Sequence, residues 1–207
     1  MNSKMSIIKS FGFTLIEVVI VVVIIGFLAV TAIPKLIGLT DQAKQANIED
    51  MAGDFATGVS LVKAKWEAEG HLKNDNDQNS VDYNGSILML TIEATDIRPG
   101  YVTGLTDGAL LGESFDVTNC VEIWENILQH PPKITSHFDD LNDEIQYFAS
   151  KSGSGAVSVC HFYLKESLNR GSEGGYVNPL SSTDTGNSFT YQPASSTVTV
   201  YIEKVSS

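Results

Sequence analysis

A single carboxylate, Glu17, stands inside an otherwise apolar run from Phe13 to Pro34. The 22 residues of that run, as a helix, span about 33 Å, enough to cross the hydrocarbon core of a bilayer. A charge at midplane costs on the order of 3 kcal/mol to insert, so an acid in such a segment either has a task or sits at the interface near the helix start. Cys120 and Cys160 lie beyond the run. An even pair on an exported chain reads as a disulfide; the loop it closes, about 40 residues, is worth roughly 4 kcal/mol in the chain-entropy account. Two buried free thiols are the alternative. Asp75, Asp77 and Asn79 match the first three ligand positions of a calcium loop, but Ser80 and Ser86 stand where its Gly and closing Glu belong, which favours a solvated loop. His71, His130, His137 and His161 are scattered, and the chain has neither a Gly-x-Ser-x-Gly elbow nor a Gly-rich phosphate loop opening a helix. No constellation supports an enzyme, and no metal or cofactor is expected.

The elements that must position these residues follow from periodicity. The apolar run predicts a first helix over 13–34, with Pro34 removing one helical hydrogen bond and Gly26 flanking it at a distance, so that a kink is expected there. From about Thr40 to Glu69, Ile48, Ala52, Phe55, Val59, Val62 and Trp66 recur at spacings of 4, 3, 4, 3 and 4, which predicts an amphipathic helix docked on a sheet and ended by Gly70. Together the two stretches predict one bent helix of about 85 Å. The stretch 74–85 reads as a polar loop. Ile87 to Ile92 reads as a strand or a short helix, and Arg98-Pro99-Gly100 and Thr106-Asp107-Gly108 as turns. Thr118 is the expected cap of a helix carrying Val121, Trp124, Ile127 and Leu128, stopped at Pro131. Ala156 to Leu164, Ser188 to Tyr191 and Thr197 to Ile202 alternate as strands of an antiparallel sheet, the last two joined through Pro193 and Ala194. Gly171 to Gly175 and Ser181 to Asn187 read as flexible connections. The fold class is α+β, a long bent N-terminal helix packed on an antiparallel β-sheet head.

The chain has 207 residues and a formal net charge of −12. Residues 1–73 are balanced, and the acidic excess sits in residues 74–207. An acidic head repels phosphates, so no nucleic-acid partner is expected.

The order of features at the N-terminus carries a resemblance. A short leader with Lys4 and Lys9 and no acid ends in Gly12; Phe13, Thr14, Leu15, Ile16 and Glu17 follow, and then the apolar helix. This resembles the type IV pilin family. Cys120-Val-Glu-Ile-Trp124, Pro131, Cys160-His-Phe-Tyr163 and the stretch from Ala29 to Lys44 are similar to the mannose-sensitive haemagglutinin class of pilins. The resemblance implies four parts: a leader at 1–12, a membrane or filament-core helix at 13–34, an amphipathic half-helix at 35–70 and a globular head at 71–207. It implies that a prepilin peptidase cuts between Gly12 and Phe13, that the new amine on Phe13 is methylated, and that Glu17 meets the Phe13 amine of a neighbouring subunit. Its implied partners are other pilin subunits, the peptidase and the inner-membrane assembly machinery. The precursor is expected in the inner membrane with its head in the periplasm, and the mature chain in an extracellular pilus serving attachment or motility. A type II secretion pseudopilin, or an anchored adhesin head that binds surface glycans, are the alternatives. A further alternative is an ordinary signal cut after Val30-Thr31-Ala32, against which Glu17 and the length of the apolar core both count.

Overall fold

A computed structural model describes residues 13–105, 111 and 114–203. Gly12, the leader and the turn expected at Thr106–Gly108 lie outside them. The chain divides into two compact units, Met1–Gln42 and Ala43–Ser207. One helix, α1 (Leu15–Ala68), runs through both. In the first unit the described side chains from Phe13 to Val30 are exposed on every side.

In the second unit, the apolar stripe read from the sequence is the buried face of α1. Ile48, Ala52, Phe55, Val59, Val62 and Trp66 are each at most 5% exposed. The helix stops as Gly70 predicts. Gly70 takes φ +80, its N–H donates to Glu67 O at 3.2 Å, and the N–H of His71 donates to Trp66 O at 3.0 Å. These two bonds are a Schellman closure, which satisfies carbonyls the helix end would otherwise leave open.

A five-stranded sheet receives the stripe, in the order β4 (Ile134–Thr135), β5 (Tyr147–Ser152), β6 (Val159–Leu164), β7 (Ser188–Gln192), β8 (Thr197–Tyr201). All neighbours are antiparallel except the two-residue β4–β5 pair, which is parallel. Phe55 of α1 lies 5.1 Å from Phe162, 5.4 Å from Phe189 and 5.3 Å from Tyr191, ring centre to ring centre. A second sheet, β1 (Ser80–Tyr83), β2 (Ser86–Leu90) and β3 (Val102–Gly104), contributes Val81, Leu88, Leu90 and Val102 to the same core. The second helix, α2 (Val117–Ile127), closes the core through Trp124, whose ring lies 4.7 Å from Tyr147 and whose Nε1 donates to Pro132 O at 2.9 Å. Gly58 is where α1 passes α2: a Cβ there would stand 2.9 Å from the Ile127 carbonyl oxygen.

The opposite face of the five-stranded sheet is covered by a smaller cluster, Phe148, Tyr163 and Leu168, with Phe138, Leu141 and Tyr176 packed on it. The long β6–β7 connection crosses this face. The stretch 181–187, read as flexible, is instead tied down at its start: Ser150 Oγ and Ser181 Oγ are 2.9 Å apart, and Tyr163 OH donates to Ser182 O at 2.9 Å.

Three other expectations need correction. The polar stretch 74–85 is not all loop. Its second half is β1 and the tip of a hairpin, with Asn84 at φ 54 and Gly85 at φ 88; two consecutive left-handed residues form the tight turn that matches the twist of paired strands. Asp116, not Thr118, caps α2: its carboxylate accepts from Thr118 N–H at 2.7 Å and Asn119 N–H at 3.4 Å, while Asn119 Oδ1 accepts from Asp116 N–H at 3.0 Å. The buried face of α2 keeps Trp124 and Ile127 but takes in Cys120 and Ile123, leaving Val121 and Leu128 half-buried. The strand expected from Ala156 begins at Val159, because Gly155–Val157 is a single 3₁₀ turn.

Candidate assembly segment and its head

The N-terminal segment owes its geometry to four residues. Thr14 stands immediately before α1, and its Oγ1 accepts from the Glu17 N–H at 3.3 Å; the Glu17 and Val18 N–H groups also donate to Thr14 O, at 3.1 and 3.3 Å. Thr14 is thus the N-cap and Glu17 the third helical residue, the spacing of a capping box. A carboxylate here is favoured by the positive end of the helix dipole. The spacing of Thr14 from Glu17 is the signal that marks this cap in the sequence. Phe13 precedes the cap with its ring 79% exposed, and Glu17 is exposed one turn into the helix.

From Val18 to Val30, α1 is apolar all round. Val18 to Ile25, Phe27, Leu28 and Val30 are each 46% exposed or more. A helix without a polar face is stable only when lipid or other protein surrounds it. Among the described residues no helix is long and apolar enough to cross a membrane. Described side chains run without a break from Phe13 to Val30. Gly26 leaves open space where a Cβ would stand, and the backbone is helical through both Gly26 and Pro34.

In the head, Cys120 and Cys160 are joined, with Cα atoms 5.6 Å apart. The bond ties α2 to the central strand β6, and both cysteines are fully buried. In the stretch read as a possible calcium loop, Asp77 pairs with Lys73 at 2.8 Å and Asn74 Oδ1 accepts from the Asn76 and Gln78 N–H groups, each at 3.0 Å. The loop closes on its own side chains. Among the described residues no three His, Cys, Asp or Glu side chains converge as metal ligands. Of the histidines, His161 is buried on β6 and its Nε2 lies 2.8 Å from Ser152 Oγ. Burial pushes its pKa down to about 4. Burial also raises Tyr163 to about 12, opposed by its contact with Ser150.

Residues 8–33 match the family described as "Prokaryotic N-terminal methylation motif". Over 56 residues the chain is 50% identical to "Type IV narrow pilus major component PilA5" of Thermus thermophilus, an alignment that takes in 26% of this chain and 48% of that protein. The chain therefore spans about half the length of the curated relative it matches. Neither match names the mannose-sensitive haemagglutinin class, and no solved structure matches the chain.

Proposed function

We propose that this chain, whose N-terminus is that of a type IV pilin, is a structural subunit of a type IV pilus rather than an enzyme. The observation that carries the reading is Glu17, the lone charge in a stretch of α1 from Leu15 to Val30 whose side chains are otherwise apolar and exposed on all sides. In the precursor, Lys4 and Lys9 hold the leader on the cytoplasmic side, and residues 13–34 sit in the inner membrane. A prepilin peptidase cuts after Gly12, where the absence of a side chain lets the backbone lie extended in the cleft. The new amine on Phe13 is then methylated.

Extraction into the filament moves the apolar helices from lipid into a bundle of their own kind. There a cationic amine and a carboxylate are each costly alone, and each relieves the other at a distance of a few Å. Glu17 of one subunit meets the Phe13 amine of the next and sets the axial register. Residues 35–70 form the amphipathic half that docks on the head, 71–207 complete the head, and Gly26 and Pro34 give the core helix a point at which it bends during packing. The assembly machinery of the inner membrane is the partner in this step, and attachment or motility at the cell surface is its use.

The test is the mature protein. Intact mass and N-terminal sequencing should show a chain beginning at methylated Phe13; a mature N-terminus at Ile33 would end the reading. Glu17→Gln and Glu17→Val subunits should insert, be cleaved and fold their heads, yet surface filament yield should collapse in both. Normal filaments from both variants would return Glu17 to a capping role alone.

A further inference from the structure

The hairpin of β1 and β2 turns through Asp82-Tyr83-Asn84-Gly85-Ser86, and Asn84-Gly85-Ser86 is the one Asn-x-Ser/Thr triplet in the chain. That pattern marks an acceptor of N-linked sugar when its middle residue is not proline and it stands on the surface of an exported protein. A triplet is a short signal, so its place in the fold decides what it means. Tyr83 and Ser86 are the last cross-strand pair of the ladder, and only Asn84 and Gly85 lie beyond them. Both are exposed, and a Cβ built on Gly85 would meet nothing within 4 Å. The tip thus stands in open space, at the end of the outer strand of its sheet.

The turn holds without the side chains that sugar transfer would use. Asp82 Oδ1 accepts from the Gly85 N–H at 2.9 Å, and the strands pair on either side. The Asn84 amide and the Ser86 hydroxyl make no hydrogen bond among the described residues. Asn-Gly is the pair that a two-residue hairpin selects on backbone grounds, since both residues must take positive φ, here 54 and 88. That preference accounts for Asn84 and Gly85. It does not account for Ser86, whose hydroxyl opens β2 unused.

We propose that Asn84 is the acceptor of an N-linked oligosaccharide. The donor class is a sugar carried on a lipid diphosphate at the outer face of the inner membrane. Asn84 Nδ2 forms a bond to C1 of the sugar, the bond from C1 to the diphosphate oxygen breaks, and the lipid diphosphate leaves with that electron pair. One amide proton passes to a base of the transferase. The Ser86 hydroxyl is the recognition group, and the carboxylate of Asp82, two residues before the acceptor, offers a cationic transferase cleft a charge-assisted contact. The inference rests on the reading of the head as exported, because donor and head meet only on that side of the membrane. A hydrated branch at the end of an outer strand also works against edge-to-edge pairing of heads.

The test is mass spectrometry of the full subunit, purified from the cells that make it. Tandem spectra of the peptide carrying Asn84 should place an added saccharide mass on that residue. Ser86→Ala and Asn84→Asp should each lose the mass completely, whereas Ser86→Thr, which keeps the hydroxyl in a strand position, should retain it. Asp82→Asn keeps an oxygen for the Gly85 N–H but drops the charge, and should lower occupancy about tenfold; equal occupancy would overturn the role given to Asp82. A bare Asn84 in the parent chain overturns the inference. So does a gain of about one mass unit alone, which is conversion of Asn84 to Asp, or a saccharide that persists in Ser86→Ala. The same intact mass reads the N-terminus. A bare Asn84 on a chain that begins at methylated Phe13 leaves the pilus reading standing, and a glycosylated Asn84 on a chain that begins elsewhere supports the site while ending that reading.

Discussion

Glu17 stands three residues after Thr14, and that spacing gives it two possible tasks. One is local: its N–H donates to Thr14 Oγ1, and its carboxylate stands at the positive end of the helix dipole. The other is between subunits. Thr14→Ala removes the cap but leaves the carboxylate. It should loosen the first turn by about 1 kcal/mol, seen as faster amide exchange at Glu17 in micelles, with filament yield close to the parent. Glu17→Gln keeps the size and a hydrogen-bonding end group and should do the reverse. If the two variants lose filaments equally, the cap is the whole story. His161 supports a prediction of another kind. Its pKa falls from an ordinary 6.5 to about 4 when it is buried. Between those values the unfolded chain binds a proton that the folded chain refuses, so stability rises with pH across this window. The contribution is fully present above pH 6.5 and lost by pH 4, on the order of 3 kcal/mol in all. Thermal melts of the parent and of His161→Gln from pH 7 to pH 4 should show a steeper acid loss in the parent; parallel curves would reject the assignment.

Elements are legible in a sequence when burial imposes a period on them. The α1 stripe is read correctly because six core contacts fall on one face of one helix, each marked by an apolar residue at a spacing of 3 or 4. Alternation marks the strands β6, β7 and β8 in the sequence, whereas β5 carries no such mark. Its residues Tyr147–Ser152 read Tyr-Phe-Ala-Ser-Lys-Ser, and both of its faces are covered, by Tyr147 and Ala149 on one side and Phe148 on the other. A run of three apolar and then three polar residues has no period of two to show. The cap of α2 was misplaced because Asp116 and Thr118 are both good caps, and only the reciprocal bond from Asn119 separates them. The rest divides in the same way: Phe13 and Glu17 stand out from order and charge alone, whereas the Ser150–Ser181 and Tyr163–Ser182 contacts that fix the β6–β7 connection join segments far apart in the chain. Two substitutions test the elements. Asp116→Ala should cost about 1 kcal/mol and Thr118→Ala much less, measured by denaturant unfolding. Gly58→Val should cost more than either, because its Cβ meets the Ile127 backbone oxygen, which cannot swing aside as a side chain can; a neutral result would mean that α1 and α2 separate freely at their crossing.

On the scale of the molecule, the head is one aromatic core built around Phe55 and Trp124 and clamped by a covalent bond from α2 to β6. Cys120→Ser with Cys160→Ser should destabilise it by roughly 2–5 kcal/mol, read as a lower melting temperature and as loss of subunit before assembly. Equal melting temperatures for parent and variant would show that the core alone suffices. The position of that bond has a consequence in time as well as in energy. Thiols stay reduced in the cytosol and are oxidised beyond the inner membrane, so a head read as exported acquires the bond only after its passage. Because both sulfurs are sealed inside the fold, a reductant reaches them only when the head opens. On the proposed export, the crosslink works as a one-way memory: a subunit keeps the chemical imprint of its passage for as long as it stays folded.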